Sequence, residues 1–380
     1  MDNLKRIIFQ KSLLWSGAVV GASALLASPG WAQATKKAKP AAKPPVKAAP
    51  KPAPAKPAAN RPVVLGTQQL PGDFGKFGTT YTIGTREPVN FTLNRAEYSV
   101  TPLSFDNNTY VPKADQKLLV LHYTIHNPNP QELSFDWSAL RFTAVDSQDT
   151  NHDYIQAVAR EGQNQPLSIR LKPAQKLEVY SAILVPAEGV VPKLIVQRER
   201  TAPVIRYDLR EKVAALPEPI ADTADPTGAT ARKDVPAVAA TWYALGAFDA
   251  RLEKVEYVAG PLVRREAGKG NRFVTTTFTI RNRTARRERY YWSDFLGEVR
   301  DADGEKIPYT QAILKVTRDE AAQGELEPGE EIRIRFFFPV PEGVAAKTLR
   351  LSEGRIIDVR QARAFLFDLS QVQQTAATAP

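Results

Sequence analysis

The sequence predicts an all-β chain built as two tandem β-sandwich domains, on three observations: short runs of alternating apolar and polar residues, turn-forming residues between them, and matches between the two halves at constant spacing. Such alternation, broken by Asn, Pro, Gly and Asp, suits antiparallel strands with one wet face. Residues 118–127 give the clearest case in the first half. Leu119, Leu121, Tyr123 and Ile125 share one face, His122, Thr124 and His126 share the other, and Asn127-Pro128-Asn129-Pro130 stops the strand. Residues 169–171 and 176–185, joined by the turn Lys172-Pro173-Ala174-Gln175, read as a hairpin, and 273–280 and 332–338 repeat the alternation in the second half.

The halves match at a spacing of 155 residues: His126-Asn127 with Arg281-Asn282, Trp137-Ser138 with Trp292-Ser293, Asp146 with Asp301, Pro173 with Pro328, Pro186 with Pro341, and Leu194 with Leu349. At the edges the offset slips, to 159 for Glu97-Tyr98 and Glu256-Tyr257 and to 160 for Tyr207-Asp208-Leu209 and Phe367-Asp368-Leu369. Loop insertions account for both slips, because loops absorb length changes and paired strands do not. The predicted domains are therefore 75–213 and 244–370, joined by an Ala-, Pro-, Asp- and Thr-rich linker over 214–240 and followed by a frayed, disordered tail at 371–380.

Ahead of the domains, residues 1–34 read as a signal peptide. Lys5 and Arg6 precede a largely apolar run over 13–27, and Ala32-Gln33-Ala34 suits signal peptidase. The run is shorter than the roughly 20 residues of a membrane-spanning helix, so the mature form is expected to have no integral membrane domain. An uncleaved signal anchor is the alternative, and it also leaves the remaining chain outside the cytoplasm. Residues 35–62 form a disordered cationic spacer of Ala, Lys and Pro, stiffened by proline and by like-charge repulsion. At about 3.1 Å per residue it reaches on the order of 85 Å. It serves either as a passive solubilising linker or as an electrostatic contact to an anionic wall polymer or acidic lipid surface.

The formal charge of +10 sits outside the predicted domains: residues 1–34 carry +2 and residues 35–61 carry +8, which leaves 62–380 neutral. A domain-wide footprint for nucleic acid is thus unsupported. The chain has no Cys, which excludes disulfides, iron–sulfur clusters, haem attachment through Cys and thiol chemistry, and one Met and three His supply metal sites poorly.

Strand, Asn-containing turn, Trp-Ser segment, the hairpins at Asp146-Ser147 and Asp303-Gly304, and then Leu171-Lys172-Pro173-Ala174-Gln175-Lys176 or Leu326-Glu327-Pro328-Gly329-Glu330-Glu331 before a strand ending Val-Pro make up a shared pattern. It resembles the immunoglobulin-like extracellular domains of secreted bacterial proteins, the group that includes the mycobacterial immunoprotective antigen. The matched stretches are 118–186 and 272–341. The second fits better, with Phe336-Phe337-Phe338-Pro339-Val340-Pro341 after Pro328-Gly329-Glu330. The resemblance implies tandem immunoglobulin-like sandwiches and secretion or surface display, and it assigns no catalytic residue, cofactor or ligand.

Candidate chemistry is sparse. His122 and His126 stand two strand steps apart and are expected as ordinary wet-face residues, the alternative being a metal site completed by His152 and Asp153. No G-x-S-x-G segment is present; Ser138 and Ser293 each follow a Trp and start a turn or short helical cap. Asp136, Glu161, Asp294 and Glu298 are available to a paired-carboxylate hydrolase but show no partnership in sequence. Trp137 and Trp292 are expected to plug the sandwich cores or cover their edges. The run from Arg281 to Arg289 holds five Arg in nine positions and reads as a solvated loop or as a contact for an anionic glycan, lipid or protein.

Arg286, Arg287, Arg289, Tyr290, Tyr291 and Trp292 are accordingly the candidate partner-binding residues, rings beside cations. The expected function is non-enzymatic: an exported, extracytoplasmic protein of the periplasm or cell surface with a structural, adhesion or protein-recognition role. Its partners are an envelope protein or an anionic envelope polymer, without nucleic acid and without cofactors. The alternative is a binding module for a soluble ligand or partner enzyme, with an unrecognised hydrolase third.

Overall fold

In the computed structural model, which describes residues 66, 72–105, 108–308, 310, 312–354, 361–372 and 374–378, alternation is converted into stacked sheets. The signal-peptide and spacer assignments lie outside the described residues. In the first half, Gln116–His126 is the central strand of an antiparallel sheet, between Val89–Ser99 and Lys176–Pro186, with Thr80–Ile83 and Ala159–Arg160 at the two sides. Opposite stands a second sheet in the order Ile205–Asp208, Lys193–Gln197, Arg141–Val145, Asn151–Asp153. Both contribute to one core, in which Phe91, Tyr123, Phe142 and Tyr207 meet at ring separations of 5.1 to 6.3 Å. Each such buried ring contributes about 2–3 kcal/mol through removal of apolar surface from water.

The second half has the same strand order with one added edge strand, Asp234–Ala237. Tyr243–Leu245, Phe248–Ala259, Asn271–Asn282, Glu331–Pro341 and Ile313–Lys315 form one sheet. Asp234–Ala237, Ala364–Asp368, Ala346–Glu353, Phe295–Asp301 and Lys306–Pro308 form the facing one. The molecule is all-β, with sheets in sandwich-like packings.

Residues that correspond between the halves make matching contacts. The Asn127 amide donates to Leu171 O and Gln131 O, and that of Asn282 donates to Leu326 O and Arg286 O. Asp146 accepts from the amides of residues 148 and 150, and Asp301 from those of 303 and 305. The Tyr98 hydroxyl accepts from Val191 N, the Tyr257 hydroxyl from Ala346 N, and a cation lies over each ring: Lys117 at 4.3 Å and Arg272 at 3.8 Å. These polar residues recur because each satisfies backbone groups that a loop would otherwise leave unpaired.

Two segments differ from expectation. Residues 214–240, read as a linker, are built into both halves. Val213–Ala214 pairs in parallel with Val89–Ser99, Leu216, Ala221, Ala229 and Ala231 join the first core, and Asp234–Ala237 is a strand of the second half, parallel to Ala364–Asp368. Low hydrophobicity hid this, because alanines against a sheet bury little surface each. Gln374–Thr378, expected within a frayed tail, forms a strand parallel to Phe248–Ala259, since backbone pairing at a sheet edge asks for no apolar pattern.

Two buried cations hold the connecting segment. Lys117, 0% exposed, donates to the carbonyls of Ala187, Gly189 and Ala229. Arg363 donates to the carbonyls of Arg232, Lys113, Ala114 and Gln116, tying a strand entry of the second half to the first. Burial draws the Lys117 ammonium down to about 8, with Asp225 opposing and Arg363 assisting, and draws Arg363 down to about 10. Asp225 shapes the loop that carries Ala229: its carboxylate accepts from the amides and hydroxyls of Thr227 and Thr230, which hold it well below the usual carboxylate range.

The folded value of Lys117 lies below its ordinary 10.5, so above about 8 the unfolded chain binds the extra proton and stability rises with pH. Urea midpoints at about pH 7.5 and pH 9.5 are expected to show this rise in the native chain and a smaller one in Lys117→Met. Arg363→Ala removes a donor from four carbonyls and is expected to cost on the order of 3 kcal/mol, with faster limited proteolysis within 214–240 as the second readout.

Candidate functional site

The candidate residues stand on a two-stranded ribbon and the turn after it. Glu288–Tyr290 pairs with Gly324–Leu326, placing Arg289 opposite Glu325 and Tyr290 opposite Gly324. Strand alternation then sends consecutive rings in opposite directions. Tyr290, 4% exposed, enters the second core, and burial, with Glu330 nearby, pushes its hydroxyl pKa up. Tyr291, 43% exposed, faces solvent and donates its amide to Asp294 Oδ2 at 2.7 Å, at the start of the 3₁₀ turn Trp292–Asp294. Trp292 is half-buried against the core with its ring 5.7 Å from that of Tyr291. Arg289, Tyr290, Tyr291, Gln323, Gly324 and Glu325 line a concavity of ≈ 700 Å³. Gly324 permits its floor, since a Cβ there would lie 3.2 Å from the Tyr290 ring and hydroxyl.

Of the six expected partner-binding residues, then, Arg289, Tyr291 and the edge of Tyr290 meet in the concavity, with Trp292 beside Tyr291. Tyr290 presents only that edge. Arg286 and Arg287 are directed elsewhere: Arg286 to Glu288 at 2.7 Å, Arg287 to Glu327 and to Glu325 at 3.5 Å. Arg281 and Arg283 both reach Asp249, at 2.8 and 3.2 Å, and Arg283 also donates to the Pro102 carbonyl of the first half. The arginine run is therefore largely compensated by carboxylates from neighbouring strands, which sequence spacing could not place. Gln323, Gly324 and Glu325 were missed for the same reason.

The other candidates resolve individually. His122 and His126 are buried and not on a wet face: Phe105, Leu118, Val120, Ile155, Ala157, Ala159, Tyr180 and Ala182 form a second apolar layer beside His122, and His126 packs beside the buried Asn90. His122, 7% exposed, sits between Glu161 at 2.8 Å and Glu97 at 3.4 Å and stacks on Tyr180. His126 lies 3.0 Å from the Asn90 amide nitrogen, its pKa lowered by burial and by Lys176. His152 pairs with Asp146 at 2.8 Å. Among the described residues no group of three or more His, Asp or Glu is placed to hold a metal ion.

The four carboxylates considered for hydrolysis have separate structural engagements: Asp136 caps a 3₁₀ turn through Ser138, Asp294 accepts from Tyr291, Glu161 meets His122, and Glu298 meets Lys306 and Arg300. Burial pushes the Glu298 carboxyl up, but Lys306 and Arg300 outweigh it and hold it below its ordinary value, the wrong direction for a general acid. Trp137 does not plug the core. It is 40% exposed on the turn Trp137–Ala139, with its ring 6.5 Å from Tyr154, while Phe135, Leu140 and Phe142 fill the interior.

No protein-family model matches the chain, and no curated protein matches it. Among solved structures it is similar to an uncharacterized β-sandwich protein from Clostridium difficile, at 14% identity over 36% of this chain and 94% of that one, with a TM-score of 0.28. It is similar also to the secreted protein MPT63 from Mycobacterium tuberculosis, at 10% identity over 36% and 97%, with a TM-score of 0.26. A putative lipoprotein from Bacillus subtilis matches at 10% identity over 33% and 38%, with a TM-score of 0.23. The likeness is distant, to several secreted or uncharacterized bacterial β-sandwich proteins. Among the described residues no helix is long and apolar enough to cross a membrane.

Gly324→Val is expected to displace the Tyr290 ring and destabilise by roughly 1–3 kcal/mol in denaturant unfolding. Tyr291→Ala is expected to stay within about 0.5 kcal/mol of the native chain, as a ring outside the core should.

Proposed function

We propose that this chain is a non-enzymatic, exported cell-envelope protein whose tandem immunoglobulin-like β-sandwiches serve a structural, adhesion or protein-recognition role. The observation that carries this reading is the ≈ 700 Å³ concavity at Arg289, Tyr291 and Gly324, which joins an exposed aromatic ring to polar side chains on a two-stranded ribbon. Aromatic and arginine side chains of this kind anchor recognition surfaces. The N-terminal pattern of basic residues, apolar run and Ala-Gln-Ala supports export, and the cationic spacer supports retention at an anionic envelope. The same concavity favours a second reading, a secreted or periplasmic module that binds a soluble ligand or partner enzyme.

Fractionation separates the two. The mature chain is expected in the envelope fraction at low salt, released by high salt and by deletion of residues 35–62. Absence of the intact chain and the deletion alike from that fraction would sink the tether and leave the soluble binding module. Tyr291→Ala is expected to weaken co-purification of a partner while leaving retention by the spacer intact.

A further inference from the structure

We propose that the outer face of the sheet containing Phe295–Asp301 and Ala346–Glu353 binds a doubly charged oxyanion of the phosphomonoester class. This does not rest on the reading above, since it concerns another surface. One side of that sheet faces the core through Val299, Leu349, Leu351 and Phe365. Alternation turns Glu298, Arg300 and Arg350 outward, where with Lys306, Lys233 and Asp234 they line a concavity of ≈ 480 Å³.

Four cations and two carboxylates leave this concavity with two uncompensated positive charges. Their arrangement is frustrated. Arg300 lies directly opposite Lys306 in the strand register, a placement that destabilises a sheet when the charges are alike. Both cations share one carboxylate, Glu298, at 2.9 and 2.6 Å. Arg350 pairs with Asp234 at 3.1 Å, and the exposed Lys233 ammonium has no acidic partner among the described residues.

The fold does not demand these charges. In the first half the places 155 residues earlier hold Thr143, Val145, Asn151 and Ile195, and they are paired in the same way, Thr143 with Ile195 and Val145 with Asn151. In the second half the corresponding pairs are Glu298 with Arg350 and Arg300 with Lys306. A phosphomonoester carries about −1.5 to −2 charges at neutral pH and three acceptor oxygens, which match the net charge and the supply of donors. Guanidinium forks engage such oxygens in pairs, and ammonium groups add point charge. Glu298 holds Arg300 and Lys306 side by side, ready for one anion.

The test is a titration of the full chain with inorganic phosphate and with glycerol phosphate, followed calorimetrically. Saturable binding is expected, weakened about tenfold by Arg300→Gln combined with Lys306→Gln and about threefold by Lys233→Gln, which touches no packed group. Phosphate binding should weaken at about pH 5, where the second proton returns, while sulfate binding should not. No saturable binding, binding indifferent to all three substitutions, or phosphate binding that ignores pH would each overturn the proposal. Vesicles bearing phosphatidic acid distinguish the source of the group. Capture by vesicles without any saturation by soluble glycerol phosphate would overturn recognition of the phosphate group itself.

Discussion

The placement of two charges in a nearly dry interior constrains this molecule more than any single strand. Lys117 and Arg363 are buried, and among the described residues neither has a carboxylate in hydrogen-bonding contact; backbone carbonyls stabilise both, and the Tyr98 ring lies over Lys117. A buried charge costs several kcal/mol unless its donors are met, so the chain segments that supply those carbonyls are obliged to stay. Those segments are the loop at Ala229, Arg232 beside it, and residues 113–116 at the entry to the central strand of the first half. One pair of cations thereby couples the connecting segment to both cores. The contact of Arg283 with the Pro102 carbonyl adds a third tie of the same chemistry.

The same half-to-half comparison separates scaffold from specialisation. Asn127 and Asn282, Asp146 and Asp301, and Tyr98 and Tyr257 perform matching backbone-satisfying tasks. Lys117 and Arg272 occupy matching places over a Tyr ring, yet Lys117 also reaches the connecting segment, so one position has acquired a joining role in the first half. Elsewhere the halves part: the places held by Thr143, Val145, Asn151 and Ile195 in the first carry Glu298, Arg300, Lys306 and Arg350 in the second. Differences of this kind mark surfaces free to take on binding, because the core has no stake in them.

Charge also moves between the linear and the folded description. The arginine-rich run is conspicuous in sequence, but Asp249, Glu288, Glu325 and Glu327 close around most of it. Uncompensated charge gathers instead on a sheet whose cations come from four separate segments. Cross-strand neighbours decide the field at a sheet surface, and they are distant in the chain.

Strand alternation at Leu119, Leu121, Tyr123 and Ile125, the stop at Asn127-Pro128 and the 155-residue spacing made the all-β architecture and its matched halves legible, because period-2 patterning and turn chemistry are local properties. Local reading also located the aromatic Tyr291 and Trp292. It could not show that Tyr290 turns inward against Gly324, that a second apolar layer packs beside His122, or that 214–240 is packed and clamped. Each of those outcomes depends on which residues a strand meets across the sheet or across the core. The sequence by itself thus determined the strands and their two-fold arrangement along the chain; the tertiary structure alone decided which charges are neutralised, which are stranded, and which rings reach solvent, because those depend on through-space neighbours that no local pattern encodes.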